Sequence, residues 1–282
     1  MTARALAARA TRPAPSDAGA SDRRDPDARS FRHKFGLLVP ATNTTAEHDL
    51  WDIVHRSRVA GGLHGIGLVT FRVSTPAPQL RTNADRVRYG RQFLAGLAAA
   101  GQAALLARPD SLILGMSVEH VVAGLAGVRA PVAELHARTG LPVAAWHDAI
   151  ATALRRLGAR RVGLLTPFDR GGTASAARMF AELGFDVVAS VGLACPDARL
   201  IAHVPEWAKE RAILELVATD GHRMDAVVQC GTNMSVLDVA ERLEPQIGIP
   251  ILGINPVTLW HALRARGITE PLARGGRLTR EY

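Results

Sequence analysis

Eight short apolar runs, each of strand length, recur from Phe35 onward: Phe35 to Val39, Ile66 to Phe71, Leu112 to Leu114, Val143 to Ala145, Val162 to Leu165, Val187 to Val191, Ala226 to Gln229 and Ile251 to Gly253. Most end at or a few residues before Gly, Pro, Ser or Thr, residues that turn the backbone out of an extended run. Between most of them the apolar positions take helical spacing. Helices are predicted over Ala46 to Ser57, Ala84 to Leu106, Asp148 to Gly158, Thr173 to Leu183, Glu206 to Thr219, Ser235 to Gln246 and Pro256 to Arg266. The interval from Gly115 to Pro142 is assigned no helix. Apolar strands alternating with helices imply parallel sheets covered on both faces, so the fold class is α/β.

A weak internal repeat divides the chain. Gly36-Leu37-Leu38-Val39-Pro40 is echoed by Gly163-Leu164-Leu165-Thr166-Pro167, and each is followed later by a strand that ends in a small-residue turn, at Gly115-Met116-Ser117 and at Cys230-Gly231-Thr232. This predicts two pseudo-symmetric lobes, each a parallel sheet flanked by helices, with the carboxyl ends of both sheets facing one cleft. The expected N-terminal lobe is 31–145, completed by 253–282, and the expected C-terminal lobe is 146–252. Gly115 and Cys230 are expected to face each other across the cleft. Residues 1–30 carry no hydrophobic period and read as a disordered tail.

Composition narrows the function class. The net charge of +8 comes almost wholly from arginine, Lys34 and Lys209 being the only lysines, and is scattered over helix faces, so nucleic acid is not an expected partner. No apolar segment reaches about 18 residues, so no membrane span is expected. Two cysteines outside any CxxC or zinc spacing point to a reduced, cytoplasmic setting without a structural metal. Whether the chain forms a homo-oligomer is left open.

Cys230 ends an apolar strand and precedes Gly231-Thr232-Asn233 and an amphipathic stretch. It is therefore expected at the mouth of a helix, where backbone N–H groups favour thiolate and bind anions. Thr42, Asn43, Thr44 and Thr45 lie at another strand-to-helix turn suited to a carboxylate. Thr44 and Glu47 also have the spacing of a capping box.

Taken in order, Leu38-Val39-Pro40-Ala41-Thr42-Asn43-Thr44-Thr45, Gly115-Met116-Ser117, Leu165-Thr166-Pro167-Phe168, Cys230-Gly231-Thr232-Asn233 and Asn255-Pro256-Val257-Thr258-Leu259-Trp260-His261-Ala262-Leu263 resemble the aspartate/glutamate racemase superfamily. The likeness is nearest to its branch of arylmalonate decarboxylases and maleate cis-trans isomerases and runs from about Phe35 to Gly267. It implies cofactor-free chemistry, with no metal, at a carbon next to a carboxylate. Racemases and maleate isomerases of this kind place two cysteines at the site. Arylmalonate decarboxylases keep only the second and use it to protonate an enediolate.

Gly115 with Cys230 matches the one-thiol arrangement. One thiol reaches one face, which is too little for a two-base racemisation and enough for one-sided protonation. Glycine at 115 is expected to leave room for a bulky substituent, which Met116 would narrow. Expected substrate-binding residues are Pro40, Thr42, Asn43, Thr44, Gly115, Met116, Ser117, Phe168, Gly231 and Thr232. Phe168 stands where the decarboxylases carry a tyrosine, and Met116 where they carry a threonine, so each position loses a hydroxyl donor.

Cys195 reads as a small buried hydrophobe, and His147 and His261 as packing or capping residues. Glu119-His120 is the remaining pair with acid–base potential. The expected function is a cysteine-dependent decarboxylase of a substituted malonate; the alternative is a maleate isomerase or another isomerase or racemase of the superfamily. A ligand-binding protein with two lobes would need no reactive thiol. The expected partner is a small carboxylate or dicarboxylate.

Overall fold

The computed structural model describes residues 27–74, 83–117, 124–219 and 223–282. Most of the expected tail and the Glu119–His120 pair lie outside these residues. Strands β1 (His33–Pro40), β2 (Ile66–Val73), β3 (Ser111–Leu114) and β4 (Val143–Ala145) form one parallel sheet in the order β2-β1-β3-β4. Strands β5 (Arg161–Thr166), β6 (Asp186–Gly192), β7 (Ala226–Gln229) and β8 (Ile251–Gly253) form a second in the order β6-β5-β7-β8. The two sheets thus repeat one topology.

Helices α1 (Ala46–Val59), α2 (Asn83–Leu105), α3 (Gly124–Thr139), α4 (Trp146–Arg156), α5 (Arg170–Glu182), α6 (Glu206–Thr219), α7 (Leu237–Ile247), α8 (Ile254–Arg264) and α9 (Arg277–Glu281) connect and cover them. The interval assigned no helix therefore holds α3, which carries Gly127 and Pro131 inside it. Glu182 pins its start by accepting from the Leu125 amide at 2.6 Å.

The helix faces follow from spacing. In α4, Trp146, Ala149, Ile150, Ala153 and Leu154 are buried at i, i+3, i+4, i+7 and i+8. Full burial of a side chain such as Ile150 or Leu154 contributes about 1.5–3 kcal/mol. In α1, Glu47 and Asp49 lie in the first turn and Arg56 and Arg58 in the last, matching the helix dipole.

Helix α8 packs against α4 and α1. The larger core runs from the first sheet through α4 and α5 to Val162, Leu164 and Val228 of the second sheet. A smaller core lies between the other face of the second sheet and α6 and α7. Helix α4, which follows the expected boundary after residue 145, packs chiefly against α8 and also against β4. Among the described residues no helix is long and apolar enough to cross a membrane.

Candidate active site

The site is built from two equivalent turns. In the first sheet Leu38 pairs with Leu114, and the next residue, Gly115, donates its amide to the Leu38 carbonyl at 2.8 Å. In the second sheet Leu165 pairs with Gln229, and the next residue, Cys230, donates to the Leu165 carbonyl at 2.9 Å. Gly115 and Cys230 therefore hold the same register position in the two halves. By the same offset Ser117 corresponds to Thr232, and both carry a hydroxyl.

Gly115 does not leave open space. A Cβ added there would lie 2.7 Å from Val39 Cγ1, 2.9 Å from Leu37 Cδ1 and 3.3 Å from the Leu38 carbonyl oxygen. The expected room for a bulky substituent is filled by β1's own side chains, because glycine let that strand pack close. Met116 is 1 % exposed and belongs to the larger apolar core.

The Cys230 turn is shaped by Gly231, whose φ of +128° disfavours any side chain and whose missing Cβ would meet Pro167 Cδ and Cγ at 2.7 Å. The buried Gln229 amide holds the Gly231 carbonyl at 2.8 Å. Helix α7 begins only at Leu237, so Cys230 stands at a turn and not at a helix mouth. The amides of Gly231, Thr232 and Asn233 follow Cys230 along this turn. They are the backbone donors next in the chain to Cys230, which is itself fully buried.

The turn after β1 interlocks with this one. Asn43, 3 % exposed, donates through Nδ2 to Thr232 Oγ1 at 3.0 Å and to the Gly115 carbonyl at 3.5 Å. Its Oδ1 accepts from the Thr45 and Ala46 amides at 2.9 and 3.0 Å. Asn43 thus uses all its hydrogen-bonding capacity inside the protein and ties both key turns to α1. It also replaces the expected Thr44–Glu47 capping box, since Glu47 instead pairs with Arg72 at 2.6 Å.

Asn233 answers from the other half. Its Oδ1 accepts from the Thr44 amide at 3.0 Å, and its Nδ2 donates to the Thr42 and Ala198 carbonyls at 3.3 and 3.1 Å. The Thr44, Thr45 and Ala46 amides are therefore occupied by protein oxygens and are not the vacant carboxylate cradle expected of this turn. Thr42 remains half-buried and Thr44 exposed, with Pro40 half-buried at the end of β1.

Across the second sheet, Thr166 Oγ1 lies 2.7 Å from Thr173 Oγ1 and accepts from the Phe168 amide at 3.2 Å. Ser117 and Phe168 are half-buried. Burial pushes the Cys195 thiol up, against the character of a reactive nucleophile. His147 and His261 lie in α4 and α8, where burial pushes both imidazoles down. Among the described residues no group of three or more His, Cys, Asp or Glu side chains could hold a metal ion.

The candidate list omits Asn233, Asn255, Gln229 and Asp49. Asn255 donates to the Thr232 carbonyl and to Asp49 Oδ2, both at 2.9 Å. Asn233 and Asn255 stand inside the ordered motifs, so their recurrence in strand-to-turn segments was the available signal. Their partners, some 189 residues away for Thr44 and Asn233, gave none.

The family model described as arylmalonate decarboxylase matches residues 112–279. The chain is 27 % identical over 253 residues to a maleate isomerase of Nocardia farcinica, covering 88 % of this chain and 96 % of that one. The solved maleate cis-trans isomerase of N. farcinica, a cysteine-to-serine variant with a covalently bound succinylcysteine intermediate, superposes with a TM-score of 0.75 at 22 % identity, covering 89 % of this chain and 99 % of that one. A liganded arylmalonate decarboxylase, with one glycine changed to cysteine and one cysteine to serine, superposes with a TM-score of 0.72 at 18 % identity, covering 89 % and 100 %. Those two altered positions are separated by almost the same number of residues as Gly115 and Cys230 here.

Proposed function

The chain belongs to the arylmalonate decarboxylase family, and from that premise we propose that it is a cofactor-independent decarboxylase of a substituted malonate, with Cys230 as its proton donor. The observation that carries this reading is the pairing of Cys230 with a Gly115 that has no space for a side chain. Breaking the bond to one carboxylate releases carbon dioxide and leaves its electron pair on the remaining carboxyl-bearing carbon as an enediolate. The Cys230 thiol gives its proton to that carbon, and the resulting thiolate is reprotonated from solvent. The Gly231, Thr232 and Asn233 amides and the Thr232 hydroxyl are the donors proposed to hold the enediolate oxygens, with Ser117 and Thr42 at the facing turns.

A second reading has a specific observation in its favour. Both curated relatives found, from N. farcinica and Geobacillus stearothermophilus, are maleate isomerases, and the former aligns over nearly its whole length. In that reading the Cys230 thiolate adds to the double bond of a maleate-type diacid, the single bond then formed rotates, and the thiolate leaves to give the trans isomer. The comparisons lean toward this reaction, whereas the absent second thiol favours decarboxylation.

Incubating the protein with phenylmalonate, an alkylmalonate and maleate separates the two. Release of carbon dioxide with the matching monoacid is expected for the malonates. Fumarate from maleate, with the malonates unchanged, would replace the decarboxylase reading by the isomerase one.

A further inference from the structure

Asp49 is a buried carboxyl that the proposed chemistry does not use. It lies in the first half of α1 and is 2 % exposed. Burial pushes its pKa up, while hydrogen bonding from the Asn255 and Ser235 side chains and the nearby His48 pull it the other way. The nearest ion-pair partner is that imidazole, 3.8 Å away and largely in solvent. A buried acid without a buried cation lowers stability, and an apolar residue would fill the same place without that penalty. Such a group is retained for what it holds.

What it holds is the Cys230 turn. Asn255 Nδ2 bridges Asp49 Oδ2 and the Thr232 carbonyl, at 2.9 Å to each. Ser235 lies at the far end of the same turn, and its carbonyl accepts from the buried Lys209 ammonium at 2.6 Å. Two anchors from outside the turn therefore fix the backbone that follows Cys230, one through Thr232 and one through Ser235. Neither Asp49 nor Asn255 is placed against the reacting atoms.

We propose that Asp49 is a positioning residue, acting through Asn255 to fix Thr232 and so to aim the Cys230 turn at the substrate. The proposal rests on Cys230 being the working thiol. Its force is geometric: Asp49 serves as an acceptor, so the neutral isostere Asp49→Asn keeps the function and Asp49→Ala removes it. With the anchor gone, the turn loosens, the buried thiol becomes reachable and turnover slows because the donors no longer converge.

The test measures iodoacetamide alkylation of Cys230 and Cys195 separately, by peptide mass spectrometry, in the wild type, Asp49→Ala and Asp49→Asn. Cys230 in Asp49→Ala should react at least about tenfold faster than in the wild type, with Cys195 unchanged within about twofold. Asp49→Asn should return Cys230 to within about twofold of the wild type. On whichever of phenylmalonate and maleate the wild type consumes, kcat of Asp49→Ala should fall about tenfold to a hundredfold with KM little changed, as for other groups that orient a reactive residue from behind. A Cys230 rate unchanged in Asp49→Ala, a parallel rise at Cys195, or an Asp49→Asn variant that behaves like Asp49→Ala would overturn the proposal. Full turnover by Cys230→Ser would instead remove the functional reading while leaving the alkylation result to stand.

Discussion

At the scale of single residues, the decisive contrast is between two positions of identical register. Cys230 and Gly115 each follow the last paired residue of a central strand and each donate to the second leucine of a Gly-Leu-Leu segment. One half supplies a thiol there, and the other supplies nothing larger than hydrogen. Because Val39 is β-branched and stiff, the contact at 2.7 Å is not relieved by a small rotation. Gly115→Ala should therefore lower unfolding stability by about 1–3 kcal/mol, the range for overpacked cores. Urea denaturation checks this, and a variant as stable as the wild type would mean that β1 gives way and the site has more room than Gly115 suggests.

At the scale of elements, all eight strands were legible, because a buried parallel strand is a short apolar run that stops at a turn residue. Helix α3 was not, since Gly127 and Pro131 are residues that ordinarily interrupt a helix, and packing against α2, α5 and β4 offsets them. The start of α7 was read two residues early, which made Cys230 look closer to a helix end than it is. The positions of Gly115 and Cys230 were legible through the repeat. The Asn43–Thr232, Asn233–Thr44 and Asn255–Asp49 bonds were not, because a sequence does not show which distant turns meet. The same holds at the α4–α8 contact, where both ring nitrogens of His147 and Nδ1 of His261 are buried with no hydrogen-bond partner among the described residues, the Asp148 carboxylate standing 3.5 Å from His147 Nε2.

For both histidines burial is the main cause of a folded-state pKa below 6.5, with Asp148 opposing it and, for His147, Arg129 and the other histidine reinforcing it. The unfolded chain then takes up protons first as the pH falls through 6.5. Their neutral forms favour the fold above that pH, and stability should drop below it, by up to about 1.4 kcal/mol per pH unit for each histidine that titrates only in the unfolded chain. Urea midpoints between pH 7.5 and 5.5, roughly spanning the ordinary histidine range, should fall. They should fall less steeply in His147→Leu, and equal slopes would show that His147 does not contribute.

At the scale of the whole molecule, the two halves are tied around the site rather than hinged loosely at it. Arg274 pairs with Asp52 of α1 and Asp238 of α7, and Glu241 of α7 accepts from the Gly275 and Gly276 amides at 2.9 and 3.0 Å. Together with the Asn43 and Asn233 bonds, these contacts hold the Cys230 turn within a closed interior. In the decarboxylation proposed above, exclusion of water there would strengthen every hydrogen bond to the enediolate. It would also confine protonation to the one face on which the proposed donor thiol stands. The most direct measurement is decarboxylation of an α-substituted malonate in deuterated water by the wild type and by Cys230→Ser, with the configuration of the deuterated product determined. One deuterium of a single handedness from the wild type, and loss of that product in Cys230→Ser, is the expected result; a racemic product, or unchanged turnover in Cys230→Ser, would contradict a one-sided thiol donor.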